Sequence, residues 1–137
     1  MNKKINHIAY VDDDPDDHFL FNATVNGTYP NIRITDFYVC DDMLKALNVL
    51  GKENLPDLIF LDLNMPGNHD GKCLEKIKEN IHLHDIPIII YSTSSALRFE
   101  QEMLNKGAFK YIVKPPTIEK LKEIVRKTFF EIESRQQ

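Results

Sequence analysis

The stretch IAYVDDDPDD, residues 8–17, passes from an apolar run through three acids to a proline and two more acids. Ile8 to Val11 has the β-branched and aromatic character of a buried strand. Asp14-Pro15 reads as a helix start, a capping carboxylate followed by a residue whose fixed φ and missing N–H suit the first helical position. Strand, acidic corner and helix together make one βα unit. Asp12 and Asp13 fall at the carboxyl end of the strand. Asp16 and Asp17 fall in the first helical turn, where the positive end of the helix stabilises each by a few tenths to about 1 kcal/mol.

The same alternation runs outward along the whole chain. Short apolar runs at 5–11, 32–39, 58–61, 86–91 and 109–113 predict strands, the third and fourth being the most apolar and therefore central. Helical spacing predicts a helix from Pro15 to about Gly27. A second follows Asp41-Asp42 with Met43, Leu44, Leu47 and Leu50 and stops at Gly51. A third covers 71–80 with Leu74 and Ile77 inward, and a fourth covers 95–106. The last, capped by Thr117, presents Ile118, Leu121, Ile124, Val125, Thr128 and Ile132 at steps of three and four.

Five βα units require right-handed crossovers and a parallel sheet covered on both faces. They are too few to close an eight-stranded barrel, so an open, doubly wound α/β sheet is predicted. In such sheets ligands bind beyond the carboxyl ends of the strands. Reading only those ends collects Asp12 and Asp13, then Asp62 with Leu63-Asn64, Ser92-Thr93 and Lys114-Pro115. Asp57 precedes the third strand and lies about 16 Å from Asp62 at the other edge. His82 and His84 share that far edge as surface residues.

With 137 residues, 42% of them hydrophobic, one domain with one core is expected. The net charge of -4 and the scattered lysines and arginines suggest neither nucleic acid nor an anionic membrane as partner. Cys40 and Cys73 are too few and too isolated for a disulfide framework or a zinc knuckle, which sets a reduced, cytoplasmic environment as the expectation. The basic N-terminus leads into aspartates rather than a signal-peptide core, and no apolar run approaches the roughly 20 residues that span a bilayer.

Three carboxylates on one rim repel one another unless one is protonated or a cation joins them. Oxygen-only ligation selects a hard ion. Magnesium, which keeps several waters and shares a position with a phosphate oxygen, suits a shallow loop-edge site better than calcium. Beside such an ion Lys114 and Ser92 could bind phosphoryl oxygens, and Asp62 could take up a phosphoryl group as an acyl phosphate.

At this point VDDD (11–14), FLDLNMPG (60–67), DG (70–71), YSTS (91–94) and YIVKPP (111–116) together resemble the receiver domain of two-component response regulators. The resemblance covers nearly the whole chain, and implies the flavodoxin-like (βα)5 fold with strand order 2-1-3-4-5. It implies Asp62 as the phosphorylated aspartate and Asp12 and Asp13 as the magnesium pair, Asp13 binding directly and Asp12 through water. The backbone carbonyl of Asn64 is implied as a further metal ligand. Ser92 matches the switch hydroxyl, Tyr111 the aromatic that follows it, and Lys114 the phosphoryl-contacting lysine ahead of a cis Lys114–Pro115 bond. The implied donor is a sensor histidine kinase or a phosphotransfer protein.

With one helix after Lys114, a stand-alone receiver is expected, a monomer or weak dimer that acts on a separate effector protein. Two departures from the family pattern bear on its switching. Gly67, Asn68 and His69 make the loop before Asp70 one residue longer than usual, and Pro116 replaces the aromatic residue often found there. A role for the loop residue His69 stays open, and Phe130, off the apolar stripe of the last helix, could mark a partner surface. Two other functions remain: a receiver-like scaffold that is never phosphorylated, and a magnesium-dependent phosphohydrolase. The hydrolase would need a second acid where Asn64 stands.

Overall fold

The computed structural model describes residues 4–66, 70–94 and 96–135. Five strands, β1 His7–Val11, β2 Arg33–Phe37, β3 Leu58–Leu61, β4 Ile88–Ser92 and β5 Lys110–Val113, form one sheet in the order β2-β1-β3-β4-β5. Every pairing is parallel. The helices are α1 Pro15–Thr28, α2 Cys40–Asn48, α3 Lys72–Lys78, α4 Leu97–Asn105 and α5 Ile118–Arg135, with a single 3₁₀ turn at Lys52–Asn54. This is the doubly wound flavodoxin-like α/β fold that the alternation of strands and helices predicts.

Alternation along the strands divides the core in two. Ala9 and Val11 of β1 join Ile59, Leu61, Ile88 and Ile90 under α2, α3 and α4, with Met43, Leu47, Leu74, Ile77 and Met103. Ile8 and Tyr10 point the other way, joining Phe60, Ile89 and Tyr91 under α1 and α5. An aromatic cluster anchors that second layer: Tyr10 stacks on Phe21 with centroids 4.2 Å apart, and Phe60 and Tyr91 meet Phe21 at 4.8 and 6.1 Å. The edge strand β2 is only partly covered, as a strand with one neighbour is.

Several boundaries differ from their sequence expectations. The second helix begins at Cys40, with the extended Val39 as its cap, so Asp41 and Asp42 lie inside its first turn. Favourable placement of those acids against the helix N-terminus replaces a side-chain cap. Its end comes at Asn48, short of Gly51, where a 3₁₀ turn takes over. In α5 the cap is as read, the Lys120 amide donating to Thr117 Oγ1 at 3.1 Å. Ile118, however, is exposed, and Phe129 enters the buried stripe in its place. Phe129 reaches Tyr29, just past the end of α1, at 5.0 Å.

The two cysteines are not isolated thiols. Cys40 and Cys73 are joined as a disulfide across 33 residues of sequence. Their spacing along the chain gave no hint of this, because the sheet order brings the starts of α2 and α3 together. Among the described residues no helix is long and apolar enough to cross a membrane.

Candidate phosphoacceptor site

Each carboxylate reaches the rim because a strand delivers it there. The Asp12 amide donates to Phe37 O at 3.0 Å and the Asp62 amide to Val11 O at 2.9 Å, extending the ladders one residue past β1 and β3. Lys114 follows β5 in the same way, its amide donating to Ser92 O at 2.7 Å. Asp12, Asp13 and Asp62 therefore converge, each offering an oxygen within 4.8 Å of the others. Asp12 and Asp62 are buried and Asp13 is exposed.

Asp12 is the most heavily supported of the three. Tyr10 Oη donates to its Oδ2 at 2.9 Å, Lys114 Nζ to the same oxygen at 2.9 Å, and the Asp14 amide to Oδ1 at 3.0 Å. Burial alone would raise its pKa, but those donors outweigh burial and hold the carboxyl below the ordinary value. Asp62 stands beside it on the rim. The Asn64 amide donates to its Oδ1 at 3.0 Å, and Lys114 Nζ stands 3.7 Å from Oδ2. Burial, aided by the neighbouring Asp12, pushes its pKa up to about 6 despite these partners. Two adjacent acids are thus driven in opposite directions, an arrangement typical of working sites.

Lys114 is almost enclosed. It bonds Asp17 Oδ2 at 2.7 Å as well as Asp12, and lies 5.5 Å from the Tyr91 ring centre. Burial lowers its pKa, yet the surrounding carboxylates more than reverse that and raise it. Ser92 is fully buried at the end of β4, its hydroxyl oxygen accepting from the Ser94 amide at 3.2 Å. Tyr111 is half-buried and donates through its hydroxyl to Ser94 O at 2.8 Å. The Asn64 side chain turns outward, donating to Thr93 Oγ1 at 2.6 Å.

The acids, Asn64, Ser92 and Lys114 named from sequence are therefore at the carboxyl rim, and Tyr111, within β5, reaches it through its hydroxyl. Asp57 is at the opposite edge as expected, accepting from the amides of Asn6 and His7 at 2.8 and 3.0 Å. His82 and His84 lie near that edge too, His82 donating through Nε2 to Leu50 O at 2.7 Å and His84 exposed. Phe130 is 69% exposed. Gly67, Asn68 and His69 lie outside the described residues.

One expectation is corrected: no cis peptide bond occurs among the described residues, so Lys114–Pro115 is trans. A bond before proline favours trans by only about 0.5–1 kcal/mol, and local packing decides between the two forms.

Two partners escaped the sequence reading. Asp17 is more than a helix-dipole residue, since it holds Lys114. His18 is 4% exposed and wedged under the rim. Its Nε2 donates to Asp12 O at 2.7 Å, its Nδ1 lies 2.5 Å from Asp36 Oδ1, and it stacks on Tyr38 at 4.1 Å. The signal was present: His18, Phe21 and Val25 form the inward stripe of α1, and a histidine beginning such a stripe faces the strand end.

The donor set fits a hard cation. It holds oxygens alone, and Asp12, Asp13 and Asp62 each bring one within 4.8 Å of the others.

Comparison with known proteins agrees with this geometry. The family model for the response regulator receiver domain matches residues 8–126. Two-component response regulator ORR5 of Oryza sativa subsp. japonica is 28% identical over 109 residues, covering 80% of this chain and 78% of that protein. Histidine kinase P4 of Formosa agariphila is 39% identical over 66 residues, which are 48% of this chain but only 5% of that much longer protein. The phosphorylated cyanobacterial phytochrome response regulator RcpA has the same fold, with a TM-score of 0.77 and 25% identity over 90% of this chain and 91% of its own. The chain belongs to the response regulator receiver domain family.

Proposed function

We propose that Asp62 accepts a phosphoryl group in a magnesium-dependent reaction, with a phosphohistidine of a sensor kinase or phosphotransfer protein as donor. The observation that carries this reading is the unequal treatment of two neighbouring acids. Asp12 accepts from Tyr10, Lys114 and the Asp14 amide and is held low, while Asp62, at the centre of the rim with Lys114 Nζ 3.7 Å away, is pushed up to about 6 by burial. A similar protein, RcpA, is described as phosphorylated.

Asp13, Asp12, Asp62 and the backbone carbonyl of Asn64 would hold the magnesium ion. When bound it neutralises charge on the transferred oxygens and relieves repulsion among the acids. The chain's own groups do the rest. Asp62 Oδ2 attacks phosphorus in line as the bond to the donor nitrogen breaks, leaving an acyl phosphate on Asp62 and, once the departing imidazole takes a proton from water, a neutral histidine on the donor. Lys114 swings from Asp12 and Asp17 toward the new phosphoryl oxygens. Ser92 supplies a hydroxyl from the end of β4, and Tyr111 follows through its bond to the Ser94 carbonyl. The change passes to a separate effector protein by contact, as a two-state shift around α4 and β5.

The test is incubation with magnesium and acetyl phosphate, followed by intact-mass measurement. One labile phosphoryl group, absent in Asp62→Ala, is the expected result. No mass gain where a control receiver is labelled would favour a scaffold, and sustained turnover of the phosphodonor would favour a hydrolase.

A further inference from the structure

Beside the acidic rim lies a covalent link that the phosphoryl chemistry does not use. Cys40, the first residue of α2, is bonded to Cys73 in the first turn of α3, with Cα atoms 6.0 Å apart. We propose that this pair is a reversible thiol–disulfide site that fixes the start of α3 to α2 and so makes the receiver responsive to redox state. Its effect on phosphorylation rests on the function proposed for Asp62; its effect on α3 does not.

Access is one-sided. Cys73 is buried. Cys40 is half-buried and lines a cavity of about 300 Å³ shared with Asp13, Tyr38, Met65 and Lys76. A thiolate from solvent can therefore reach Cys40 Sγ and not Cys73. Attack there breaks the Sγ–Sγ bond, with Cys73 leaving as a thiolate that takes a proton from water. A dithiol reductant then resolves the mixed disulfide through its second sulfur, freeing Cys40. The two electrons come from the reductant, which ends as its own disulfide. Reoxidation runs the same exchange backwards with a disulfide oxidant.

The link matters because the polar contacts across this seam are weak. Lys76 and Asp41 meet at 3.4 Å with both side chains more than half exposed, and Asn80 donates to Asn48 Oδ1 on the surface. Exposed pairs of this kind contribute little. On its other side α3 is tied to the end of α4: Lys106 Nζ donates to Asp70 O at 2.5 Å and to Glu75 Oε1 at 2.7 Å. Gly71 completes that contact, since a Cβ there would come within 2.9 Å of Met103 Sδ. Oxidised, α3 is held from both sides; reduced, it keeps its polar ties to α4 and only a shared apolar core with α2. The bridge therefore restrains the wall of the cavity that Cys40 shares with Asp13, so oxidation should slow phosphorylation.

Equilibrate the chain with oxidised glutathione or with dithiothreitol, remove the reagent, then unfold the chain in urea, alkylate with N-ethylmaleimide and weigh it intact. In parallel, follow hydrogen exchange of the α3 amides and labelling by acetyl phosphate with magnesium. Expected results are no alkylation of the oxidised chain and two adducts on the reduced one. The α3 amides should be protected roughly a hundredfold more in the oxidised chain where they exchange by unfolding. Phosphorylation should be several-fold slower in the oxidised chain, and Cys40→Ser and Cys73→Ser should lose all redox dependence. Alkylation of both cysteines after oxidised glutathione, or equal α3 exchange in the two states, would overturn the proposal, as would redox-independent labelling. If neither state is labelled, the phosphoacceptor reading of Asp62 fails, and the exchange and alkylation results still decide the thiol site.

Discussion

Lys114 is bonded to Asp17 at 2.7 Å, closer than it stands to Asp62 at 3.7 Å. In this state the lysine belongs to helix α1. Removing the Asp17 charge should release it toward Asp62. The pair is partly exposed at Asp17 and so worth up to about 1 kcal/mol, or about fivefold in rate. Asp17→Asn is expected to raise the rate of acetyl phosphate labelling by up to that factor, and Lys114→Ala to lower it by more than about tenfold. Stopped-time mass measurements on both variants check this, and a slower Asp17→Asn would show that Asp17 positions the lysine productively.

The raised pKa of Asp62 makes stability depend on pH. Between its ordinary value of 3.8 and about 6, the folded chain holds a proton that the unfolded chain has lost, so stability falls as pH rises through that window. The cost is on the order of 2–3 kcal/mol for the metal-free chain. Asp12 acts oppositely, its depressed value adding stability that is lost as pH falls below the ordinary range. Urea unfolding from pH 4 to 7 without metal should show the decline, and Asp62→Asn should flatten it.

Cation binding should reverse that cost. At a magnesium concentration of 100 times Kd, a site present only in the folded chain adds about 2.7 kcal/mol. Asp13 is exposed, so Asp13→Asn should leave the metal-free melting temperature nearly unchanged while abolishing the magnesium-induced rise. Thermal melts with and without magnesium decide this, and an unaltered rise in the variant would remove Asp13 from the ligand set.

His18→Ala should destabilise by about 2–4 kcal/mol, because it strips the buried Asp12 carbonyl of its donor, removes one partner of the part-exposed Asp36 and opens a gap beneath Tyr38. Denaturant unfolding gives the value. A loss under 1 kcal/mol would mean that water replaces both bonds.

Gly71 has φ +81. Gly71→Ala combines left-handed strain of about 1–2 kcal/mol with the crowding at Met103. Gly71→Ala with Met103→Leu should recover only the crowding part, a split that a double-mutant cycle measures.

How much of this was legible depended on whether a residue's meaning was local. The strands, the acids that end them and the capping Thr117 announce themselves within a few positions, because period, capping chemistry and rim location are properties of short windows. Asp17, His18 and Cys40 do not. Asp17 reads as an ordinary first-turn acid until the sheet order sets β5 within reach of α1. His18 acquires its partner Asp36 only when β2 lies beside β1, and Cys40 meets Cys73 only once α2 and α3 share a face. Ile118, exposed, differs for a related reason: helical spacing fixes which residues share a face, but not how far along the helix that face is covered.

Tyr10 belongs at once to the aromatic cluster beneath the sheet and, through its hydroxyl, to the Asp12 carboxylate. The floor of the acidic pocket is therefore a lever whose long arm lies in the hydrocarbon interior. Exchanging Phe21 for a smaller side chain, with no polar atom touched, would let the ring of Tyr10 tip and draw its hydroxyl from Asp12. Interior substitutions would then retune acidity at the surface, and descendants of this chain could diverge in chemistry without changing a single residue of the rim.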